Sequence, residues 1–194
     1  MKEADKLRIG VTKLLVVEGT HEVYAFRGCF DSDVQVISCD GKDKLAQFLA
    51  RFSKSAGFES QIERVVVILD NDLDPAATEA FALQAFVLLP KPQCQLCQFV
   101  AVPDVGINGM FEDLLLPDNV SSEAQNQCLD QFFACMTLTP PKAKPVNGKA
   151  RMQAWLAAQA PGRMLGSAIQ EGVVKLNGPK FESLIQRLRS ALLT

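Results

Sequence analysis

The chain has 194 residues, 48% of them hydrophobic and 22% charged, enough apolar material for a buried core and too much for a disordered or low-complexity protein. Twenty Lys and Arg against 22 Asp and Glu leave a net charge of −2, which removes overall basicity as an argument for nucleic-acid binding. The charge is segregated, however: residues 140–194 hold nine Lys or Arg against two Glu, and residues 1–139 hold eleven against twenty.

Met1-Lys2-Glu3-Ala4-Asp5-Lys6 is charged and leads into no apolar stretch with a small-residue cleavage site, and no run reaches the ~18 apolar residues of a membrane span. A cytoplasmic protein with no membrane segment is the expectation. The six cysteines lack the spacing of a disulfide framework, and Cys94-x-x-Cys97 has no second ligand pair in register for zinc. Reduced, buried thiols are expected instead.

Lys13-Leu14-Leu15-Val16-Val17 is an unbroken apolar run, the pattern of a strand buried on both faces of a parallel sheet, and it stops at Glu18-Gly19. Val23, Phe26 and Phe30 predict a helix from Thr20, as N-cap, to Phe30. Residues 34–38 read as a second strand. Leu45, Phe48, Leu49 and Phe52 fall at i, i+3, i+4 and i+7 of a helix closing near Gly57. Val65-Val66-Val67-Ile68-Leu69 is the plainest strand and runs into Asp70-Asn71-Asp72-Leu73-Asp74-Pro75, where Asp74 as N-cap and Pro75 at N1 open a helix to about Leu89. A fourth strand over 98–102 and a short helix over 110–116 complete a strand–helix alternation. Beyond it the chain reads as helical: Ser122 and Gln125 as a capping box before Cys128, Leu129, Phe132, Phe133 and Met136, a linker marked by Pro140, Pro141 and Pro145, then helices over 149–158 and 180–192. The expected architecture is α/β, a Rossmann-like, mostly parallel sheet flanked by helices over residues 1–117, with a helical C-terminal extension over 118–194 packed on it as one structural unit. Ligands of such sheets gather at the carboxyl ends of the strands.

Glu18 ends the first strand, and Asp70, Asp72 and Asp74 follow the third, so all stand at one edge of a parallel sheet. Like charges crowded into a cleft need protons or a cation, and an oxygen-ligated Mg²⁺ meets that need; the competing reading is a helix cap at Asp74, a turn at Asp70 and a solvated Glu18. An EF-hand beginning at Asp70 fails, because Pro75 and Phe81 occupy its Gly and Glu places. A haloacid-dehalogenase-type phosphatase, with Asp70 as nucleophile and Asp72 as general acid, leaves Glu18-Gly19 unexplained and lacks a downstream acidic partner motif.

Leu14-Leu15-Val16-Val17-Glu18-Gly19 followed by Val65 through Asp74 resembles the toprim pattern of topoisomerases, primases, OLD-type nucleases and small toprim ribonucleases. With Gly41-Lys42-Asp43-Lys44-Leu45, Pro103-Asp104, Gly109 through Leu115 and Lys149-Ala150 to Trp155-Leu156-Ala157, the chain is more similar to a family of small, uncharacterised toprim-related proteins. The resemblance implies Mg²⁺-dependent (or Mn²⁺-dependent) phosphodiester chemistry on nucleic acid, most simply endonucleolytic. Glu18 would be the general acid or base, and Glu18, Asp70 and Asp72, with Asp74, would hold the metal. Glu112, in the turn that returns to this edge, is a candidate further ligand; Glu22, one turn after Glu18, is a weaker one, and Lys42 at a helix start is placed to meet a phosphate. His21 reads as a surface or capping residue. The alternatives are a non-catalytic module that binds a metal-bound nucleotide or a partner, and, third, a small-molecule phosphatase. No Walker A motif is present in this sequence, so an ATPase of the kind fused in OLD proteins would be a partner chain. Lys149, Arg151, Lys175, Lys180, Arg187 and Arg189 form a basic C-terminal set that either tracks a DNA or RNA backbone or balances the acidic core.

Overall fold

The computed structural model describes residues 7–90, 95–136 and 146–193. Four strands, β1 (Lys13–Val17), β2 (Val34–Ser38), β3 (Arg64–Asp70) and β4 (Cys97–Val102), pair entirely in parallel in the order β2-β1-β3-β4. Parallel strands covered on both faces require a continuous apolar run, which β1 supplies over residues 14–17 and β3 over residues 65–69. Successive residues alternate between two cores: Leu15, Val17, Val66 and Ile68 face one, while Leu14, Val16, Val67 and Leu69 face the other.

The second core is closed by α2 (Leu45–Phe52), α3 (Phe58–Gln61) and α4 (Pro75–Phe86), with Phe52 stacked on Phe48 and edge-on to Phe58. The first core is closed by α1 (Thr20–Phe26), α5 (Phe111–Asn119), α7 (Gly148–Gln159), α8 (Leu165–Gln170) and α9 (Pro179–Leu193). Trp155, Phe181 and Leu184 of the C-terminal helices are buried with Leu15 and Val66 of the sheet, so the C-terminal region shares the core of the strands. The division drawn at residue 117 falls within α5. The architecture is mixed α/β of Rossmann-like type with a helical C-terminal extension, and no helix among the described residues is long and apolar enough to cross a membrane.

Three expectations need correction. The first helix ends at Phe26 rather than Phe30, and its N-cap is Gly19 rather than Thr20. Phe30 still packs near Phe26, at 6.4 Å between ring centroids, from the turn beyond Gly28, so its apolar spacing reported burial without reporting helix. The helix α6 (Glu123–Met136) buries only Leu129 among its described side chains, while Phe132 and Met136 are exposed. Cys128 and Cys135 are exposed with them, against the expected burial of the thiols, whereas Cys39 is buried. The Ser122 Oγ does accept from the Gln125 N–H at 3.1 Å. Cys94 and the prolines 140, 141 and 145 lie outside the described residues.

Helix α8 lies directly on α1. A Cβ at Gly166 would stand 2.6 Å from Tyr24 Cδ2, so only glycine allows this approach. Gly166→Ala is expected to cost about 1–3 kcal/mol, the usual penalty for overpacking a filled contact. Urea unfolding followed through Trp155 fluorescence checks this; an unchanged midpoint would mean that Tyr24 swings aside freely.

Candidate functional site

The strand ends β1 and β3 bring Glu18 and Asp70 to one edge, as parallel pairing of Val16 with Val67 requires. Two helices then aim further acids at the same place. Gly19 turns the chain into α1 and donates its N–H to Glu22 Oε2 at 3.0 Å; a side chain there would crowd both Glu22 and His21. Phe111 opens α5 by donating its N–H to Asp70 Oδ1 at 2.8 Å, which puts Glu112 at the helix start beside the cluster. Below them the rings of Phe26, Phe111 and Phe181 pack against one another at 5.7–6.2 Å between centroids and fix α1, α5 and α9 together. Glu22 and Glu112 are consequently only 4% and 3% exposed, a degree of burial rare for glutamate.

Burial is the main cause that raises the pKa of Glu18, Glu22, Asp70 and Glu112, and repulsion from neighbouring carboxylates adds to it at Glu18, Asp70 and Glu112. Asp70 is pushed well above the ordinary aspartate range, by burial first and then by the charges of Glu22, Glu18 and Glu112, against the Phe111 N–H that lowers it. His21 Nε2 stands 3.3 Å from Glu22 Oε2 and 3.7 Å from Glu112 Oε1. Its pKa is lowered by burial despite the nearby Glu112 charge, which keeps it a neutral partner of the acids at pH 7. The surface or capping role expected for His21 therefore gives way to a place within the cluster.

The remaining acids occupy a second, more open half of the edge. Asp72, in the left-handed conformation at φ 52°, pairs by backbone with Gly109, and its Oδ2 accepts from Lys42 Nζ at 2.6 Å. Lys42 also donates to Thr78 Oγ1 at 3.1 Å. Between Asp72 and Asp74 the chain turns, anchored by buried Asn71, whose Nδ2 donates to the carbonyls of Asp104 and Ile107. Glu18 lies between the halves: Lys42 lowers its pKa, while Glu22 and Asp72 raise it. Its Oε2 is buried without a hydrogen-bond partner. Asp74 is exposed and caps α4, accepting from the Ala77 N–H at 2.9 Å. Asp74→Ala is expected to cost about 1 kcal/mol of stability, the usual worth of an N-cap, and to leave any metal-dependent activity intact. Lost activity at unchanged stability would make Asp74 a ligand instead.

The basic C-terminal set divides as well. Arg187 donates to the carbonyls of Ala101 and Pro103 and pairs with Asp104 at 3.1 Å, Arg189 donates to the Cys29 carbonyl, and Arg151 pairs with Asp130 at 2.6 Å. These three hold the helices to their neighbours. Lys175 and Lys180 are exposed. Lys149, at the start of α7, faces the acidic cluster, where its charge lowers the pKa values of Glu22, Glu112 and His21. Spacing along the sequence had grouped it with the distant arginines.

Among the described residues no group of three or more His, Cys, Asp or Glu side chains stands ready to hold a metal ion. In kind, the donors at this edge are nonetheless hard carboxylate oxygens, the chemistry that Mg²⁺ or Mn²⁺ selects, and Glu18 presents one with no other partner. Such an edge can share protons among neighbouring carboxyls, accept a cation, or do both.

The fold and this acidic edge define an α/β protein of Rossmann-like type with its candidate site at the strand carboxyl ends. The chain belongs to the family described as a protein of unknown function, DUF3226, which it matches over residues 12–193. No curated protein and no solved structure matches it.

Proposed function

We propose that the chain is a toprim-type enzyme carrying out Mg²⁺-dependent (or Mn²⁺-dependent) phosphodiester cleavage on nucleic acid. The observation that carries this reading is the convergence of Glu18, Glu22 and Glu112 on Asp70 at the carboxyl edge of the sheet, each with its pKa raised, together with a buried Glu18 oxygen that has no partner. A cation held by Glu18 and Asp70, with Asp72 or Glu112 recruited to it, would neutralise a phosphodiester oxygen. Glu18 has the environment of a proton carrier: burial raises its pKa above the ordinary glutamate value, while Lys42 on the open side limits the rise. Lys42, which reaches Asp72, and Lys149, which faces Glu112, flank the acids from two sides and offer fixed positive charge to a phosphate otherwise repelled here.

A second reading, a non-catalytic module that binds a metal-bound nucleotide or a partner at the same edge, is favoured by the lack of any ready three-ligand group among the described residues. The phosphatase reading is the weakest, because its nucleophile, Asp70, is enclosed by Glu22, Val102 and Phe111 and already accepts the Phe111 N–H. Incubating the purified chain with supercoiled plasmid and with a structured RNA, in Mg²⁺, Mn²⁺ or EDTA, decides among them. Metal-dependent nicking or RNA cleavage supports the enzyme; metal binding without cleavage of either polymer supports the module.

A further inference from the structure

Beside the acidic edge, α1, α7 and α8 enclose a cleft of about 590 Å³, within the range of small-molecule sites. Its character changes along its length. One end is bounded by His21, Glu112 and Lys149, so it opens onto the acids described above. The body is apolar, with buried Met152 and Leu156 beneath it, Met164 and Leu165 along it, and the Tyr24 ring pressed on the Cβ-free Gly166. Gln153, Ser167 and Gln170 place amides and a hydroxyl along the wall. Arg151 and Arg163 are paired with Asp130 and Glu171, but Lys149 is in no salt bridge among the described residues. The cleft therefore offers an apolar trough with polar edges and, at its acidic end, a lysine that forms no salt bridge among the described residues.

A ligand that matches is flat and largely apolar at one end, carries hydrogen-bonding groups on its rim, and is anionic at the other end. We infer that this cleft binds a nucleoside phosphate, with the base in the trough against Tyr24, Met164 and Leu165 and the phosphate drawn to Lys149. A sugar phosphate would leave the apolar wall uncovered, and an unphosphorylated base would leave Lys149 unused. The inference rests on the proposed phosphodiester reading for the fate of that phosphate, which Lys149 holds next to Glu112 and Glu22. The same chemistry is presented by a free nucleotide and by the terminal or extruded nucleotide of a strand.

The test is isothermal titration of the full chain with adenosine 5′-monophosphate, adenosine and 5′-phosphorylated hexathymidylate, in EDTA and again in Ca²⁺. Ala157→Trp fills the cleft from an exposed position on α7, and Lys149→Gln removes its cation; the melting temperatures of both variants establish that they fold. Binding of the monophosphate is expected to weaken at least about tenfold in either variant, with adenosine affected by Ala157→Trp alone. Tighter binding of the hexathymidylate assigns the site to a nucleic-acid strand, and tighter binding of the monophosphate assigns it to a free nucleotide. Absence of binding in both conditions, or binding indifferent to Ala157→Trp, overturns the inference. Cleft binding in a chain that cleaves neither DNA nor RNA overturns the enzyme reading and leaves the cleft standing.

Discussion

Glu18→Gln is expected to fold normally and to lower metal-dependent cleavage by roughly 10²- to 10⁴-fold, the range that a positioned acid–base group contributes. The substitution keeps the shape of the side chain and removes its ability to carry a proton and its negative charge. Stability is not expected to fall, because burial, the largest influence on Glu18, penalises its charged form, and the repulsion of Glu22 and Asp72 offsets the Lys42 attraction that the neutral side chain gives up. Glu22→Gln provides the contrast. That residue holds the Gly19 N–H and sits 3.3 Å from His21, so its neutral variant can retain the α1 geometry while altering the charge on the same cluster. If Glu18 moves the proton, its variant loses kcat at every pH, whereas the Glu22 variant shifts the pH profile of the surviving activity. Equal, pH-independent losses in both would reduce Glu18 to one of several interchangeable charges. Full activity of Glu18→Gln would remove the proposed mechanism.

Much of this edge was legible in the sequence, for a physical reason. A parallel strand covered on both faces must be apolar throughout, so β1 and β3 announce themselves, and the first acids beyond them necessarily stand where the strands end. Glu18 and Asp70 follow from that rule alone. What the sequence conceals is set by packing between elements distant along the chain. Glu22 and Glu112 are legible as candidate ligands, but their burial beside His21 is not, because it depends on how Phe26, Phe111 and Phe181 place their helices. Lys149 reaches the acids only because α7 packs on α5 and α8 on α1. Helices α3 and α8, of four and six residues, are too short for a 3.6-residue period to register. The apolar stripe of α6 has the spacing of a core helix, yet among the described residues it meets mainly α7 and leaves Phe132 and Met136 exposed. Periodicity identifies a helix face; which neighbour covers that face is decided elsewhere.

In the presence of chelator, the melting temperature is expected to fall as pH rises beyond the ordinary carboxylate range and through the raised values of the clustered acids, and Asp70→Asn is expected to flatten that decline. Glu18, Glu22, Asp70 and Glu112 all have folded-state pKa values above their unfolded ones, so above the unfolded values the native state binds more protons than the unfolded chain. Stability from such groups is complete below the unfolded pKa and is lost as pH rises through the folded one. His21 works in the opposite sense: its lowered pKa gives stability above its unfolded value near 6.5 and removes it below. The carboxyl contribution is therefore cleanest above that pH, and Asp70, raised furthest from the ordinary range, controls its upper part. Asparagine still accepts the Phe111 N–H without bringing a charge among three other acids. Once the pH is high enough to ionise Asp70 in the wild type, the variant should be the more stable of the two, each ~1 kcal/mol of gain raising the midpoint by about 2–4 °C in a chain of this size. A bound cation relieves the same repulsion, so Mg²⁺ at ~100 times its dissociation constant should stabilise the wild type by about 2.7 kcal/mol and the variant by less. A melting temperature that rises with pH across this interval, or an Asp70→Asn chain less stable at its upper end with its pH dependence unchanged, would mean that the carboxyls are individually solvated and that no repulsion is stored for a metal to relieve.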